Sequence, residues 1–550
     1  MATFNVSWYE RAPELFEREK RIMESNGFKL DEYCLREHKI VKFKGYSRVL
    51  KEYPLEFIYP VGYPSFPPTV ISDVNEQLLL KKHHSPKSKT LCCFGFANER
   101  WRANMTAFEV IMEAETLIAE FSPLTSSAEV IEANDDVPEP KIVHYDYSLG
   151  SILIPHPFGD MDINENKVLN GELRFSKKGY GRGILQSISI GDVNINCEGD
   201  YRNWLSNSTL FKVKIIKIND FPPLSTDRIK EWLSNKGIKL MKKSEQWILF
   251  VFNDEWGKAN QYKPTWIALR CVNGVFKWVR CYIVSQQDRN VRTPSGLTLS
   301  NKKVVIVGVG ALGSLIATSL AQEGVGKITI FDHDIYEPGN SIRHQGKQQL
   351  FGLPKAFVVA DRILELSPLT NVSHKPFSVG RTQSIDEALV FLEELKSADL
   401  VVDSTAEHSV THFINRLCVE FKKPFIVASV TNGAWSCEVI RYIPNISGCW
   451  GCWNINYGNQ IPPGAPVTSM QFAPGCDQPT FIGGISDINI AAGLATKMII
   501  ETLINLKRPD ILYNNYLVWS SKDKFGATDY SIKYLPNDRN EKCGVCNEEN

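Results

Sequence analysis

Four cysteines stand in two pairs whose spacing is typical of metal ligands. Cys449 and Cys452 form one C-x-x-C pair, and Cys543 and Cys546 form a second about ninety residues later. Four thiolates at this spacing fit a closed, tetrahedral Zn²⁺ site of the structural kind. C-x-x-C pairs also occur in redox proteins, but each pair here has a glycine in its turn, which favours metal. We therefore predict a zinc site that fastens the C-terminal tail to the preceding domain.

A glycine-rich turn gives the clearest signal for phosphate binding. The apolar residues 304–307 have the pattern of a buried strand, and Gly308, Gly310 and Gly313 follow at GxGxxG spacing. Small residues there let backbone N–H groups and a helix N-terminus approach a phosphate closely. Asp332 ends a second strand-like segment, where a carboxylate suits ribose hydroxyls. By itself, this fingerprint fits NAD or FAD as readily as ATP.

Polar residues after the second strand change this interpretation. Asn340 and Arg343 follow Asp332, and Lys355 comes next in a GxxK pattern. A dehydrogenase does not need such a cluster. An adenylating enzyme does, because cations must hold triphosphate charge while an acyl oxygen attacks the α-phosphate. The order DxDxxxxxNxxRH followed by GxxK resembles the ubiquitin-activating, ThiF and MoeB superfamily, which forms acyl adenylates, over roughly residues 292–546.

The resemblance implies ATP, Mg²⁺ and Zn²⁺ as cofactors and assigns roles to individual residues. Asp332 would hold the ribose, and Asn340, Arg343 and Lys355 would contact the phosphates. The same superfamily also contains zinc sites with the cysteine arrangement described above, so the two signals reinforce each other.

The magnesium ligand is where this chain departs from the superfamily pattern. Members usually carry an Asp-Asn pair after the fourth strand, with the Asp on magnesium, whereas Ala406 and Glu407 stand here. Either Asp403 or Glu407 is therefore expected to hold the metal. Superfamily members are commonly two-fold dimers that complete each other's ATP sites, so we expect a homodimer, with Arg292 as a residue that reaches across.

A single cysteine lies on a loop in the same region. Cys476 is set among Pro and Gly residues, between the first C-x-x-C pair and a helix-like segment near residues 488–503. A thiolate is the nucleophile that accepts an acyl group from an adenylate. The superfamily's activating enzymes have their catalytic cysteine at this point in the order, which implies that role for Cys476. A buried loop cysteine is the alternative.

The N-terminal block resembles the ubiquitin-conjugating fold over roughly residues 30–125. It contains a YPxxPP turn at 63–68, a His-His-Ser-Pro element at 83–86, the pair Cys92-Cys93, and then Trp101 before a helix-like run. In that family a histidine-proline element precedes the active cysteine, and a tryptophan and a long helix follow it.

Two departures from the conjugating pattern leave alternatives open. The family's oxyanion-stabilising Asn is absent, so His83, His84 or a backbone N–H would replace it. Spacing back to Leu91 favours Cys92 as the nucleophile, while spacing forward to Trp101 favours Cys93. We predict Cys92, with Cys93 as the alternative.

The elements that must position these residues divide into an α/β chain with three domains. We predict an α+β ubiquitin-conjugating-like domain at 1–125, an acidic, proline-containing linker at 126–141, a mixed, β-rich docking domain at 142–290, and a Rossmann-like ThiF-type adenylation domain at 291–550. The middle domain has strand-like alternation and no catalytic motif.

The composition indicates which partners and which cellular compartment to expect. The 550 residues include 62 Lys+Arg and 62 Asp+Glu, and this balance argues against nucleic acid as a partner. The N-terminus has no apolar signal core, and glycines break the longest apolar run, at 304–320, so we expect no membrane partner. Thirteen cysteines without a signal peptide indicate thiol and metal chemistry in a reducing, cytoplasmic setting.

A conjugating module that precedes an activating module resembles the fusion protein of anti-phage CBASS operons. That resemblance implies attachment of a cGAS-like nucleotidyltransferase, or of a ubiquitin-like modifier, through its free C-terminal carboxylate to an amine of an acceptor protein. The acyl group would pass from ATP to Cys476 and then to Cys92. Alternatives are sulfur-carrier adenylation, an NAD-dependent oxidoreductase, and a non-catalytic scaffold.

Overall fold

The computed structural model describes most of the chain. The described residues are 7–80, 83–95, 98–125, 138, 140–163, 168–178, 180–197, 205, 208–238, 245–293, 295–381, 384–466, 481–508 and 511–547. They fall into two compact units. Unit 1 comprises Met1–Ile154, Asp162–Asn196 and Arg202–Ile283, and unit 2 comprises Pro155–Met161, Cys197–Tyr201 and Val284–Asn550. Most of the predicted linker 126–141 lies outside the described residues.

The first sheet of unit 1 is a four-stranded antiparallel meander. In its third strand, Leu55 and Phe57 are buried and Glu56 between them is partly exposed, as expected of a sheet with one covered face. The long helix opens with a capping box of Thr106 and Glu109 and buries one face in the same core. The elements are β1 (Lys29–Leu30), β2 (Lys42–Tyr46), β3 (Pro54–Ile58), β4 (Thr69–Ile71), α1 (Trp8–Arg11), α2 (Pro13–Ser25), α3 (Glu32–His38) and α4 (Ala107–Phe121), with a short 3-10 helix at Glu76–Leu78.

The second sheet of unit 1 has eight strands in the order β5-β12-β11-β10-β9-β6-β7-β8. Its strands are β5 (Tyr147–Ile154), β6 (Val168–Ser176), β7 (Arg182–Ile190), β8 (Val193–Asn196), β9 (Thr209–Lys217), β10 (Gln246–Glu255), β11 (Tyr262–Val272) and β12 (Val275–Ile283). Strand β5 pairs with both β12 and β7, so seven strands close into a barrel, which removes the exposed edges of an open sheet. Helix α5 (Ile229–Asn235) and 3-10 helices at Lys141–His144 and Thr226–Arg228 accompany it.

Unit 2 is built on a doubly wound sheet. Strands β13 (Lys303–Val307), β14 (Lys327–Phe331), β15 (Asn371–Lys375), β16 (Leu400–Asp403) and β17 (Phe425–Val430) are parallel and lie in the order β15-β14-β13-β16-β17. This is the 3-2-1-4-5 order, in which ligands bind outside the carboxyl ends of the strands where the order reverses. Strand β13 buries alternate side chains in the cores on both faces of the sheet. The Rossmann-like fold predicted for this region is confirmed.

Three antiparallel strands extend that sheet, and helices cover both of its faces. The strands are β18 (Ser436–Tyr442), β19 (Tyr516–Lys522) and β20 (Thr528–Leu535). The helices are α6 (Gln286–Arg292), α7 (Gly296–Leu299), α8 (Ala311–Gln322), α9 (Lys355–Leu366), α10 (Ile385–Ser397), α11 (His408–Glu420), α12 (Trp450–Tyr457) and α13 (Ile485–Ile504), with 3-10 helices at Phe158–Asp160, Pro338–Ile342 and Gln348–Leu350. Within the described ranges, no helix combines the length and the apolar character needed to cross a bilayer.

Candidate functional site

The glycine loop lies between β13 and α8, where the strand order reverses. The Gly308 N–H donates to the Phe331 carbonyl at 2.8 Å, which ties the loop to the end of β14. Gly308 has a φ of +83°, and a Cβ there would lie 2.9 Å from the backbone of Thr405. The loops after β13 and β16 therefore touch, and only glycine fits at the contact.

The other two glycines serve different purposes. A Cβ on Gly313 would collide with the Gly308 carbonyl oxygen and with Ser404 Oγ, so this glycine lets the helix pack against the loop. A Cβ on Gly310 would meet nothing within 4 Å. Gly310 also precedes the first turn of α8, whose N–H groups have no partner inside the helix. The open space in front of Gly310 is thus a cradle for an anionic group.

Two side chains clamp Val309, which lies inside the glycine loop. Its N–H donates to Asp332 Oδ2 at 2.7 Å, and its carbonyl accepts from His344 Nε2 at 2.9 Å. His344 Nδ1 accepts from the Gly346 N–H, which fixes Nε2 as the protonated nitrogen. Burial lowers the pKa of His344 to about 4, so the imidazole is neutral at physiological pH. Sequence analysis used His344 only as part of a motif and missed this role.

Asp332 keeps acceptor capacity beyond the loop. Its Oδ1 accepts from the Asp334 N–H at 2.8 Å, and burial raises the pKa of its carboxyl group. A carboxylate has about four lone-pair positions. Two are therefore left for hydroxyl donors such as those of a ribose.

The three residues expected at the phosphates differ in their surroundings. Lys355 begins α9 and pairs with Asp334 at 2.9 Å. Arg343 is half-buried, its guanidinium lies 5.3 Å from the centre of the Phe481 ring, and burial lowers its pKa. Asn340 Oδ1 accepts from the Glu337 N–H at 3.0 Å and so shapes the segment before Arg343.

The two candidate magnesium ligands differ in burial and in hydrogen bonding. Asp403 is fully buried, and burial raises its pKa. Its oxygens accept from Thr405 N, Thr405 Oγ1 and Thr411 Oγ1 at 2.6–2.9 Å. Glu407 is partly exposed and pairs with Arg381 at 3.6 Å. A further candidate metal site adjoins the glycine loop. There the ligand atoms of Asp332, His333 and Asp334 lie within 4.8 Å of one another, and Asp332 accepts from the loop residue Val309.

Comparison with known proteins agrees with this geometry. Residues 285–543 match the ThiF family. The chain is 33% identical over 244 residues to the uncharacterized protein y4oA of Sinorhizobium fredii, which covers 42% of this chain and 40% of that relative. It is 26% identical to the sulfur carrier protein adenylyltransferase of Thermus thermophilus, over 46% of this chain and 84% of that relative.

A solved structure is similar to part of the chain. The crystal structure of E. coli MccB with ATP is 22% identical and covers 48% of this chain and 74% of that one, with a TM-score of 0.36. The chain spans about two fifths of the length of the first curated relatives it matches. The family match and the sequence similarity to the adenylyltransferase support a ThiF/MoeB-like domain over residues 285–543, which include the glycine loop, Asp332 and the polar residues around them.

The four predicted metal ligands of the ThiF/MoeB-like domain come together. Their Sγ–Sγ separations are 4.0 Å for Cys449–Cys452, 3.5 Å for Cys449–Cys543 and 3.2 Å for Cys452–Cys546. A tetrahedral zinc with bonds of about 2.3 Å would set its sulfurs roughly 3.8 Å apart, so the donor set fits. A Cβ on Gly451 would lie 3.1 Å from Cys543 Sγ, which explains the glycine in this turn.

The sequence also predicts roles for Cys476 and Arg292 in the ThiF/MoeB-like domain. Cys476 lies outside the described residues, as does the rest of 467–480. Arg292 is exposed at the end of α6 and pairs with Asp288 one turn earlier, at 3.1 Å.

The two adjacent cysteines of unit 1 differ in exposure. Cys92 is exposed, whereas Cys93 is buried in the core of the first sheet and burial raises the pKa of its thiol. The Cys92 N–H donates to the His83 carbonyl at 2.9 Å, and Arg100 Nη2 donates to the Cys93 carbonyl at 2.6 Å. The cysteine segment is thus held by its backbone on both sides.

A cavity of about 430 Å³ lies beside Cys92. Polar members of its wall are His83, Thr90, Asn98 and His144. His84 also belongs to the wall but is almost fully buried, with Nε2 2.8 Å from the Ser72 carbonyl and a pKa lowered by burial. Sequence analysis missed His144 because nothing near it in the chain carries a recognisable motif.

Proposed function

We propose that this protein activates the C-terminal carboxylate of another protein with ATP and transfers it, through two thioesters, to an amine. The observation that carries the proposal is the open cradle at Gly310, framed by the clamped loop at Val309 and by Asp332. It supports binding of a nucleoside triphosphate at a ThiF/MoeB-like domain. The exposed Cys92 beside a polar cavity supports an acyl-transfer site in unit 1.

The chain's residues would divide the adenylation step as follows. The first turn of α8 and the Gly310 backbone hold phosphate oxygens, and Asp332 accepts from ribose hydroxyls. Arg343 and Lys355 lie in the adjoining segment and supply positive charge as the carboxylate oxygen attacks the α-phosphate and pyrophosphate leaves. Magnesium, when bound, neutralises triphosphate charge. The partly exposed Glu407 and the carboxylates of Asp332 and Asp334 fit it better than Asp403, whose oxygens already accept three hydrogen bonds.

Two thiol steps complete the reaction. The Cys476 thiolate attacks the acyl carbon, a C–S bond forms, and AMP leaves. The Cys92 thiolate then attacks the acyl carbon of the Cys476 thioester, a new C–S bond forms and the old one breaks, and Cys476 leaves as a thiolate that takes up a proton. An acceptor amine then attacks the Cys92 thioester, forming a C–N bond and breaking the C–S bond.

The four cysteines Cys449, Cys452, Cys543 and Cys546 would hold zinc in a structural role. Their donor set is closed by four thiolates, so no position is left for substrate. The zinc would tie the segment after β20 to helix α12.

The resemblance to the CBASS fusion makes a cGAS-like nucleotidyltransferase the first candidate for the activated protein, and a ubiquitin-like modifier the second. The acceptor would be a protein amine. We further propose a homodimer, in which Arg292 would act after releasing its exposed partner Asp288.

A thioester assay tests the proposal. The full chain is incubated with ATP, Mg²⁺ and each candidate protein, and adducts are resolved without reductant and identified by mass spectrometry. A DTT-sensitive adduct on Cys92 that depends on Cys476 supports the relay. Charging of Cys92 in the Cys476→Ala protein shows that the order is wrong, and absence of any DTT-sensitive adduct with a partner that is adenylated rejects the thioester steps.

Adenylation of a sulfur-carrier protein is the second candidate function. It is favoured by the similarity to the Thermus thermophilus adenylyltransferase, which extends over 84% of that protein. This activity needs the glycine-loop site and not Cys92. Sulfur-carrier adenylation would be favoured if adenylate still forms in Cys92→Ala and the wild type carries no adduct on Cys92. If, in addition, the adenylated protein passes its acyl group to no acceptor, unit 1 would be a non-catalytic scaffold. Tight NAD binding would instead favour an oxidoreductase.

A further inference from the structure

The cavity beside Cys92 has a wall that comes from outside the four-stranded meander. His144 belongs to the 3-10 helix Lys141–His144, which immediately precedes the first strand of the barrel, β5. The cysteine segment belongs to the first sheet, so two parts of unit 1 complete one polar cavity. Such a cavity is large enough for a lysine side chain, and Cys92 and His144 both line this half-open volume of about 430 Å³.

A buried carboxylate fixes the short helix that carries His144. Asp254, on β10, is almost fully buried and accepts from the N–H groups of Lys141 and Ile142 at 2.8 Å each. These N–H groups open the 3-10 helix and would otherwise be unsatisfied. His144 is therefore mounted on the barrel, which is a rigid support for a side chain that takes part in chemistry.

Two further contacts hold the same segment. The Tyr147 hydroxyl donates to the Ile142 carbonyl at 2.6 Å. Lys87, in the loop before Cys92, pairs with Asp146 at 2.8 Å. Because both members of this ion pair are exposed, it contributes little energy, about 0–1 kcal/mol. The position of His144 thus depends mainly on Asp254, and the ion pair helps to align the two segments.

The other histidines of the wall are engaged differently. His84 is almost fully buried, its Nδ1 accepts from the Leu80 N–H at 3.5 Å, and its Nε2 lies 2.8 Å from the Ser72 carbonyl. It therefore supports the loop. The His83 ring packs on Phe121, with centroids 4.2 Å apart. His144 is half-buried and lines the same cavity from a separate segment, the 3-10 helix Lys141–His144.

We infer that His144 is a catalytic residue that takes the proton of the acceptor amine at Cys92. This inference rests on the proposed function, since it takes Cys92 as the thioester-bearing residue. The amine nitrogen attacks the thioester carbonyl, a C–N bond forms, and the C–S bond breaks with Cys92 leaving as a thiolate. The proton lost by the nitrogen moves to the imidazole and then to the thiolate or to water.

The test loads Cys92 without needing the natural partner. Full-length protein with Cys476→Ala is treated with a short peptide that carries a C-terminal glycyl thioester of mercaptoethanesulfonate, and loading at Cys92 is measured by peptide mass spectrometry. Nα-acetyl-lysine amide is then added, and the rate of amide formation is measured against its concentration. The variants are His144→Gln, His144→Ala, His83→Ala and, as a matched exposed histidine of the same unit, His38→Ala.

We expect equal loading in all variants. The maximal rate of amide formation should fall about tenfold or more in both His144 variants, be restored to His144→Ala by added imidazole, and stay unchanged in His38→Ala. A wild-type rate in His144→Gln means that the residue is structural and overturns the inference, as does a loss confined to His83→Ala. If the loaded Cys476→Ala protein, with no change at a histidine, does not pass its peptide to lysine, the proposed conjugating function is overturned, and so is the role inferred for His144.

Discussion

The carbonyl oxygen of Val309 lies 2.9 Å from Nε2 of His344, thirty-five residues further along the chain. Val309 is the middle residue of the first G-x-G, so its peptide orientation decides where the neighbouring Gly310 N–H points. The neutral, buried imidazole of His344 fixes this carbonyl. On the other side of the residue, the N–H of Val309 donates to Asp332 Oδ2 at 2.7 Å. The shape of the proposed nucleotide cradle therefore depends on a histidine whose contacts are with the loop backbone.

This contact predicts a pH-dependent stability. Burial lowers the pKa of His344 to about 4, below the ordinary histidine value near 6.5. The unfolded chain therefore binds more protons between these values, so the contribution of His344 is complete above pH 6.5 and is lost progressively as the pH falls toward 4. Between pH 7 and pH 5 the loss should be about 2 kcal/mol.

The measurement is a comparison of variants at two pH values. Urea unfolding of wild type and His344→Gln at pH 7 and pH 5 should show the stability difference shifting by that amount toward the variant at low pH. His38→Gln, at an exposed histidine, should show no such shift. An identical difference at both pH values would contradict a buried neutral imidazole.

Two of the glycines should respond oppositely to alanine. Gly310→Ala places a methyl group in the open cradle, so ATP affinity should fall tenfold or more, about 1.4 kcal/mol, while the melting temperature stays near that of wild type. Gly313→Ala forces a clash with the Gly308 carbonyl and should lower the melting temperature. Calorimetric ATP titration and thermal unfolding measure the two effects. Wild-type ATP binding by a folded Gly310→Ala would place the phosphates elsewhere.

The cysteine cluster should bind one zinc per chain. Cys543→Ser should lose the metal and lower the melting temperature strongly, because structural zinc in small peptides is worth roughly 10–16 kcal/mol. Cys34→Ser, at a partly exposed cysteine of unit 1, should retain the metal. Elemental analysis of purified protein gives the stoichiometry. A zinc-free protein with unchanged stability after growth in zinc-replete medium would refute the assignment.

Alkylation should separate the adjacent cysteines. Iodoacetamide on the folded protein should modify Cys92, which is exposed, and spare Cys93, whose burial in the core also raises its pKa and so suppresses the thiolate. Peptide mass spectrometry reads the two sites, and the same treatment after denaturation should label both. Preferential labelling of Cys93 in the folded protein would reverse the choice of nucleophile.

Asp403 and Glu407 should have separable roles. Asp403→Asn cannot accept all the hydrogen bonds from Thr405 and Thr411, so stability should fall by about 1–3 kcal/mol. Glu407→Gln should leave stability unchanged and raise the magnesium concentration needed for ATP binding. Thermal unfolding and magnesium titration test the pair. A stable Asp403→Asn protein with an increased magnesium requirement would return the metal to Asp403.

Much of the ThiF/MoeB-like domain could be read from local pattern. A buried strand followed by GxGxxG indicates a strand, a tight turn and a helix, and one reason is local, because Gly313 packs against the carbonyl of Gly308. The C-x-x-C pairs are also recognisable from the sequence, because a tetrahedral zinc site restricts both the type and the spacing of its ligands. The helix-like run expected after Trp101 is α4, and the strand-like alternation expected after residue 142 is found in strands such as β9, β10 and β11.

The sequence by itself therefore determined the glycine turn, the two C-x-x-C pairs that come together, and the parallel sheet. Only the tertiary structure decided which of Cys92 and Cys93 faces solvent, because neighbouring residues share the same local pattern and differ only in what packs over them. The tertiary structure also decided that Thr405 and Thr411 donate hydrogen bonds to the carboxylate of Asp403, and that His144 lines the cavity beside Cys92. Each of these depends on contacts between segments that are separated by a turn or by a whole domain, and burial and hydrogen bonding at such contacts follow from packing.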